Sequence, residues 1–371
     1  MRRDGSTIRP HGVPAAPSRK AMSGMVGRLL RWQPAYSTAV IVAGVFLLSW
    51  AVDGRSVSLI ALRSMLPAAG ILAIAGVGET LVVQQRGVDL SVPGVIALTA
   101  YVVSDLPIRY GISPALAFLV TIVLGLVVGL VSGMIITKVG VSPIVVTFGM
   151  NSLLVGLVIW YSGTQPVTTW AGLQAFATGR WLGVSFLTWI GLCVVVVAAL
   201  VESFTKWGRR FAAVGASPGA ARIAGLAVGR YVTMAYVIAA GCYSLAGILL
   251  VGFVQTSSTS LGDPYLLSVF VVVIIGGTRL RGGKATMMGT GLAALALAQI
   301  DQAVLTLGAT GAVQDLVEAT VLVLAALMGV ANVPQLWTRA KRLLGGPPGR
   351  RASKHGGDEA TVVAPVGSER L

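Results

Sequence analysis

The chain has 371 residues, of which 55% are hydrophobic and only 11% charged, and its mean hydropathy is +0.83. A soluble domain carries roughly 25% charged residues, so this composition excludes a soluble globular fold and predicts a surface that lies mostly in lipid. The net charge of +15 comes from the two tails and from short breaks between apolar runs, not from a basic helix interleaved with aromatic residues, which argues against nucleic-acid binding.

Ten apolar runs follow one another along the chain. Because a spanning helix needs roughly 20 mostly apolar residues, they predict an all-α, polytopic membrane protein with about ten transmembrane helices. The third and eighth runs are short and lie beside glycines, which is typical of broken spans that line a cavity. The runs lie near 36–52, 58–83, 92–106, 112–137, 142–161, 184–203, 231–254, 265–277, 286–307 and 312–331.

The distribution of basic residues predicts that both termini are cytoplasmic. Nearly all of the 28 Lys and Arg residues fall on one side of this layout, and only Arg55, Arg63, Arg109 and Arg180 fall on the other. The first run is longer than a signal-peptide core and is interpreted as an uncleaved span. The predicted organisation is a basic cytoplasmic tail, a transmembrane domain with a long cytoplasmic loop, and a disordered cytoplasmic tail, at 1–34, 35–335 (loop about 204–230) and 336–371.

Within the long loop, the segment Gly215–Gly225 carries the signals of a short helix. Ser217 can cap the helix, Pro218 suits its first position and Gly225 suits its end. A helix of about two turns is too short to be stable alone, so it must pack on something. Two interpretations remain open: a surface helix that joins two spans, or a docking helix for a soluble motor subunit.

A repeat of small residues marks one face of the fourth run. Gly125, Gly129 and Gly133 recur every fourth residue, which allows another helix to approach closely. The pattern predicts helix packing.

Two glycine-rich breaks interrupt the apolar pattern. In the first, Gly87–Ser91, Asp89 and Ser91 are candidate caps for the following helix. The second, Gly276–Lys284, superficially resembles a phosphate-binding loop. Its glycine spacing is one residue too long, and an alanine follows the lysine where Ser or Thr would bind magnesium, so the chain lacks a Walker A motif and is not expected to hydrolyse ATP itself.

Polar side chains inside apolar runs are candidates for a solute path, because charge at membrane depth usually faces an interior or a wet pathway. The alternative for each is hydrogen bonding between helices, and Glu79 also lies close enough in sequence to pair with Arg86. The apolar runs contain or adjoin three acids, Glu79, Asp301 and Glu318. The candidates for the path are Glu79, Thr147, Asn151, Gln299, Asp301 and Gln302. Both cysteines lie in apolar runs and both histidines in the tails, so no metal site or disulfide is predicted.

At four motifs the chain resembles the permease subunits of bacterial ABC importers of the ribose/xylose type, which are part of a wider group that includes branched-chain amino acid permeases. The segments that carry the resemblance are Gly78–Ser91, Gly129–Gly149, Gly215–Leu226 and Gly276–Lys284. They are similar, in order, to the family's G-Q-T-x-V-I-x-x-G-G-I-D-L-S, its G-x-x-N-G with P-x-I-x-T-L-G, its docking loop A-x-G-x-N-x-x-A-A-R-x-x-G-I, and its G-G-T-S-L-x-G-G.

The resemblance implies a multi-pass protein of the bacterial cytoplasmic (inner) membrane that imports a monosaccharide or polyol and needs no cofactor of its own. It implies three partners: a cytoplasmic ATPase that carries ATP and Mg, an extracytoplasmic solute-binding protein, and a second permease copy, identical or not. The ATPase would dock on a set of loop residues: Gly215, Ser217, Pro218, Ala221, Arg222, Gly225 and Leu226.

The chain also departs from the family pattern. Arg86 replaces a glycine, Glu79 a glutamine or methionine, Pro93 a glycine, Ser132 an asparagine and Arg281 a small residue. The intramembrane acids therefore keep a second hypothesis open: an ion-coupled secondary transporter that uses Glu79 or Asp301 as its proton or cation site.

Overall fold

The structure, a computed structural model, describes residues 19–330. This part contains thirteen α-helices: α1 Arg19–Val52, α2 Leu59–Gln84, α3 Val92–Tyr110, α4 Pro114–Met134, α5 Pro143–Ser162, α6 Ala171–Thr178, α7 Phe186–Phe204, α8 Lys206–Ala216, α9 Pro218–Ile223, α10 Val228–Val254, α11 Asp263–Ile275, α12 Met287–Thr306 and α13 Gly311–Val330. The disorder predicted for 336–371 and the first part of the predicted N-terminal tail lie outside the described residues.

Short elements complete the loops between the helices. A single 3-10 turn, Gly54–Val57, precedes α2, and α4 continues as a π-helical turn over Ile135–Val139. Two-residue strands form two antiparallel pairs: β1 Val167–Thr168 with β4 Thr256–Ser257, and β2 Arg180–Trp181 with β3 Val184–Ser185. The chain is therefore all-α apart from these short ladders.

The predicted polytopic membrane fold is confirmed. Ten helices coincide with the ten predicted runs, namely α1 to α5, α7 and α10 to α13. By length and apolar composition, seven helices in the described part are able to cross a membrane, and two shorter apolar helices lie at Tyr36–Val52 and Asp263–Ile275. α1 begins at Arg19, inside the segment predicted as a tail, because a helix can continue beyond its apolar part.

The third span is not short, contrary to the sequence prediction. α3 has 19 residues and runs past the polar residue at which its apolar run ends. That residue, Asp105, is buried but accepts a hydrogen bond from the Tyr161 hydroxyl, and it lies 3.6 Å from the guanidinium of Arg109. Because the carboxylate has partners inside the protein, the helix continues to Tyr110. The eighth span, α11, is short, with 13 residues.

The helix α2 forms the centre of the bundle. In its most apolar stretch 89% of the residues are buried, against 17% in α7. α2 packs against α7, α10, α11 and α12, while α4 and α5 lie further out and expose large apolar side chains such as Phe118 of α4 and Trp160 of α5. An all-round apolar helix at the centre and exposed apolar faces at the periphery are the arrangement that a lipid solvent permits.

The small residues of α4 face α10. A Cβ atom on Gly125 would lie 1.7 Å from the Ser244 hydroxyl, and one on Gly129 would lie 2.3 Å from the Tyr236 carbonyl oxygen. One on Gly133 would lie 2.9 Å from a backbone atom of α10. The two helices therefore approach closely along the whole small-residue face.

We expect Gly129→Ala to destabilise the protein by roughly 1–3 kcal/mol, because the added methyl group forces two well-packed helices apart. The matched control is Gly156→Ala on the exposed face of α5, where a Cβ atom meets nothing within 4 Å. There the higher helix propensity of alanine stabilises by up to about 1 kcal/mol. Thermal unfolding in one detergent compares the two variants, and equal unfolding temperatures would contradict the close α4–α10 contact.

Candidate functional site

Three segments that are far apart in sequence, two of them glycine-containing, meet at one end of the bundle. They are the C-terminal end of α2 (Gln84–Arg86), the boundary between α8 and α9 (Gly215–Ser217) and the glycine-rich break before α12 (Gly282–Lys284). We call this meeting point the junction. The carbonyl oxygen of Gln84 accepts a 2.9 Å hydrogen bond from the Gly283 N–H, and its side-chain amide donates to the Gly283 carbonyl oxygen at 3.2 Å.

Close backbone contact holds the junction together. A Cβ atom on Gly215 would lie 2.0 Å from the Gln84 carbonyl oxygen, and one on Gly283 would lie 2.6 Å from the Cα atom of Ala216. Gly283 also has a φ of +83°, in the left-handed region that favours glycine. Only residues without a side chain allow these three segments to touch.

Arg86 ties α8 to the end of α2. Its Nε donates a 2.7 Å hydrogen bond to the Gly215 carbonyl oxygen, and its Nη2 donates to the carbonyl oxygen of Ala216. These are the last carbonyl groups of α8, which lack partners within the helix and carry the partial negative charge of its C-terminus. Nearby, the Gln85 amide donates to the Phe211 carbonyl oxygen at 2.9 Å. Arg86 itself has a φ of +64°, an uncommon conformation for a residue with a side chain.

The helix α8 was not predicted. It is amphipathic: Gly208, Phe211 and Val214 are buried, while Arg209 and Arg210 are exposed. The pattern is readable in the sequence from Lys206 onward, but it is short and directly follows an apolar span. The Thr205 hydroxyl accepts a hydrogen bond from the Gly208 N–H at 3.0 Å and so begins the new helix.

The short helix α9 lies where the sequence placed it. The Ser217 hydroxyl accepts a 3.4 Å hydrogen bond from the Ala220 N–H, Pro218 occupies the first position, and Gly225 has a φ of +79°. The Leu226 N–H closes the end of the helix on the Ala221 carbonyl oxygen at 3.0 Å.

One face of α9 is exposed. Ala221 is buried against the protein, whereas Arg222 is exposed and the side chain of Ile223 is 91% exposed. An isoleucine this exposed, next to an arginine on a polar loop, is typical of a surface that contacts another protein.

Two of the path candidates hold the first break in place. The Thr147 hydroxyl accepts a 3.0 Å hydrogen bond from the Leu90 N–H, and the Asn151 side-chain oxygen accepts one of 2.8 Å from the Gly94 N–H. Both residues lie on α5. They therefore fasten α5 to the segment that begins α3.

Glu79 is fully buried and does not pair with Arg86, so that alternative is wrong. One carboxylate oxygen of Glu79 accepts a 2.8 Å hydrogen bond from the Tyr243 hydroxyl, and the other accepts one of 3.3 Å from the Asp89 N–H. Arg86 points instead to α8, because the carbonyl groups at that helix end lie within its reach. Tyr243 follows Glu79 by 164 residues, and sequence spacing does not indicate it.

Asp89 and Ser91 do not act as two independent caps. Asp89 accepts hydrogen bonds from both the N–H (2.9 Å) and the hydroxyl (2.6 Å) of Ser91. Ser91 occupies the N-cap position of α3 but makes no side-chain capping bond, because its hydroxyl is committed to Asp89.

The remaining path candidates lie near the opposite end of α2. The Gln299 amide donates to the Ser56 carbonyl oxygen at 3.2 Å, and the Gln302 side-chain oxygen accepts from the Ser64 hydroxyl at 2.9 Å. Ser64 and Glu79 are both on α2 and, at 1.5 Å rise per residue, are roughly 20 Å apart. The structure therefore divides the six candidates into two clusters.

Asp301 shares one property with Gln299, whose side-chain oxygen is buried and lacks a hydrogen-bond partner in the described part of the chain. One of its carboxylate oxygens is buried and has no hydrogen-bond partner within the described residues. The neighbouring acid Glu318, on α13, accepts a 2.7 Å hydrogen bond from the Ser268 hydroxyl of α11. Of the two acidic path candidates, Glu79 has partners on both carboxylate oxygens, whereas Asp301 keeps one buried oxygen able to accept a hydrogen bond.

Comparison with known proteins identifies relatives for most of the chain. The family described as the branched-chain amino acid transport system/permease component matches residues 61–328. The ribose import permease protein RbsC of Escherichia coli strain K12 is 32% identical over 272 residues, which cover 72% of this chain and 84% of the relative.

Two further relatives have other printed substrates. The fructose import permease protein FrcC of Rhizobium meliloti is 28% identical over 67% of this chain and 72% of its own length. The autoinducer 2 import system permease protein LsrC of Salmonella paratyphi B is 28% identical over 73% of this chain and 79% of its own length. No solved structure matches the chain.

We expect Arg86→Gly and Arg86→Ala to differ in stability although both remove the same two hydrogen bonds. Alanine keeps the unfavourable left-handed conformation and glycine relieves it, so the alanine variant should be less stable by roughly 1 kcal/mol. Thermal unfolding of the purified variants measures the difference. Equal stability would show that position 86 does not hold a positive φ.

Proposed function

This chain belongs to the family of permease components of the branched-chain amino acid transport system type, and from that premise we propose that it is the transmembrane subunit of an ATP-binding-cassette importer. It forms the translocation pathway for a small polar solute, a monosaccharide or polyol, across the cytoplasmic (inner) membrane of a bacterium. Relatives that import ribose and fructose support this solute class. They also favour the importer over an ion-coupled secondary transporter.

The observation that carries the proposal is the position of α9. Its exposed face, with Ile223 and Arg222, is joined to the core of the bundle through α8 and the junction. A cytoplasmic ATPase that binds ATP and Mg docks on this face, and the permease chain itself hydrolyses no ATP. The docking residues are those of the predicted loop: Gly215, Ser217, Pro218, Ala221, Arg222, Gly225 and Leu226.

The junction provides a direct route for movement. A displacement of α9 moves the end of α8, whose carbonyl oxygens are bonded to Arg86, and so moves the end of α2. The Gln84–Gly283 hydrogen bonds carry the same displacement to the break before α12. α2 and α12 pack against each other in the core, so the two helices shift together.

The remaining assignments follow from the same proposal. Both termini are cytoplasmic, an extracytoplasmic solute-binding protein delivers the solute, and a second permease copy, identical or not, completes the pore. Asp301 serves as a hydrogen-bond acceptor for the solute, because its side chain holds a buried oxygen without a partner in the described part of the chain.

We expect Ile223→Asp to weaken capture of the ATPase by roughly ten-fold or more, because a buried apolar anchor at the centre of an interface dominates its affinity. The measurement is co-purification in mild detergent with a tag on this chain and mass spectrometry of the captured proteins. Leu182→Asp is the matched control, since Leu182 is 76% exposed on a loop predicted to lie on the other side of the membrane.

Capture of an ATPase that survives Ile223→Asp would contradict docking on α9. If no ATPase is captured by the unsubstituted chain and purified chain alone takes up solute in liposomes under an ion gradient, the importer proposal fails and the secondary transporter replaces it.

We expect Asp301→Asn to retain ATP-driven uptake within roughly five-fold, because asparagine keeps an acceptor oxygen and a neutral hydrogen bond is worth about 1 kcal/mol. Asp301→Leu removes the acceptor and should reduce uptake further. Solute uptake by the reconstituted complex measures both variants. Complete loss in Asp301→Asn, with uptake that collapses when the proton gradient is abolished, would instead indicate an ion site.

A further inference from the structure

A basic cleft of about 730 Å³ opens beside the junction, between the end of α7, α8 and the start of α12. It is separate from the exposed face of α9 and from the Asp301 cluster. Of the described residues that line it, Glu202 alone is acidic. The basic residues that line it are Arg86, Arg209, Arg279, Arg281 and Lys284.

The five basic side chains outnumber the carboxylate of Glu202, which also accepts a 3.0 Å hydrogen bond from the Gln84 side-chain amide. The Arg55–Asp53 and Arg109–Asp105 ion pairs involve none of the residues that line the cleft. Arg279 and Arg281 are exposed at the rim. The cleft therefore carries an excess of positive charge, which attracts an anion.

The inner wall of the cleft supplies neutral donors. Thr286, the N-cap residue of α12, lines the cleft and is only 7% exposed. Its hydroxyl has no hydrogen-bond partner among the described residues and does not cap the helix. The first N–H groups of a helix lack partners within the helix and carry its partial positive charge, so this end of the 20-residue α12 favours an anion.

We propose that this cleft binds a phosphate group, carried either by a phospholipid headgroup or by a soluble phosphate compound. A helix N-terminus behind a glycine-rich loop is a preformed phosphate site, and guanidinium groups match phosphate oxygens with paired hydrogen bonds. Gly282 and Gly283 both have positive φ and lead directly into Lys284. The site lacks the magnesium-binding residue after the lysine, so it binds phosphate without hydrolysing it.

The charge of the cleft separates this ligand from the transported solute. A monosaccharide or polyol is uncharged and gains nothing from several cations, whereas a phosphate is attracted over distances comparable with the Debye length. The volume lies within the range of small-molecule sites, so it accommodates a phosphate with an attached group. The proposal does not depend on the transport function, and its test needs no transport.

The test uses the full-length chain in two arms. In the first, the chain in a detergent free of phosphate is titrated with inorganic pyrophosphate by calorimetry. In the second, the chain is placed in nanodiscs of phosphatidylcholine, with or without added phosphatidylglycerol, and lipid retained after extraction is counted by native mass spectrometry. The two arms distinguish a soluble phosphate from a lipid headgroup.

Matched variants locate the site. Thr286→Val keeps the shape of the side chain and removes the hydroxyl, and we expect it to weaken binding roughly five-fold. Arg279→Gln with Arg281→Gln should weaken it more than about ten-fold and flatten its salt dependence. Lys138→Gln is the control: Lys138 is exposed on the same predicted side of the membrane, does not line the cleft, and should leave binding unchanged.

Loss of binding in the cleft variants in either arm supports the proposal and identifies the source of the phosphate by the arm in which it occurs. The proposal is overturned if neither arm detects binding, or if the cleft variants bind like the unsubstituted chain. It is also overturned if the variants lose only capture of the ATPase and no phosphate binds, since the cleft then belongs to an acidic segment of that partner.

Discussion

The structure depends on a constraint that lipid imposes: a backbone polar group at membrane depth must find its partner inside the protein. The break between α2 and α3 meets this constraint with side chains. Thr147 accepts from Leu90, Asn151 accepts from the start of α3, and Glu79 accepts from Asp89. Three polar residues in apolar helices are explained by the irregular backbone between them.

The same need for hydrogen-bond partners connects the end of α2 to α8. α2 ends where its last carbonyl groups need donors, and the Gly283 N–H supplies one of them. The last carbonyl groups of α8 have the same need, and Arg86 supplies it. Because each helix end is satisfied by a neighbouring segment, the proposed docking helix and the buried α2 are mechanically connected. A small exposed helix is thereby able to act on a core that is otherwise shielded by lipid.

Several buried polar atoms of the described residues remain outside this network, among them the side-chain oxygens of Gln84, Gln85 and Gln299, and two others lie near the two ends of α12. The Thr286 hydroxyl is unpartnered at its start, and a carboxylate oxygen of Asp301 is unpartnered towards its other end. A native interior pairs nearly all of its buried polar atoms, so each exception needs an explanation, and for these two we propose a ligand. The proposed phosphate cleft and the proposed solute contact lie at these two ends of one helix.

Hydropathy by itself determined the membrane fold and the positions of ten of the helices, because the cost of placing charge in lipid arises residue by residue along the chain. The short helix α9 was predictable for a similar reason, since Ser217, Pro218 and Gly225 begin and end a helix through contacts with residues nearby in the sequence.

The tertiary structure alone decided the junction, the partner of Glu79 and the length of α3. Gly215 and Gly283 meet the end of α2 through close backbone contact, which no local pattern encodes. The sequence neighbour Arg86 was available to Glu79, but Tyr243 lies closer in space. Asp105 reads as the end of a span until its partners on neighbouring turns and helices are known. Pairing of buried polar groups is set by three-dimensional proximity, so sequence identifies the groups that need partners, and only the fold determines which partners they find.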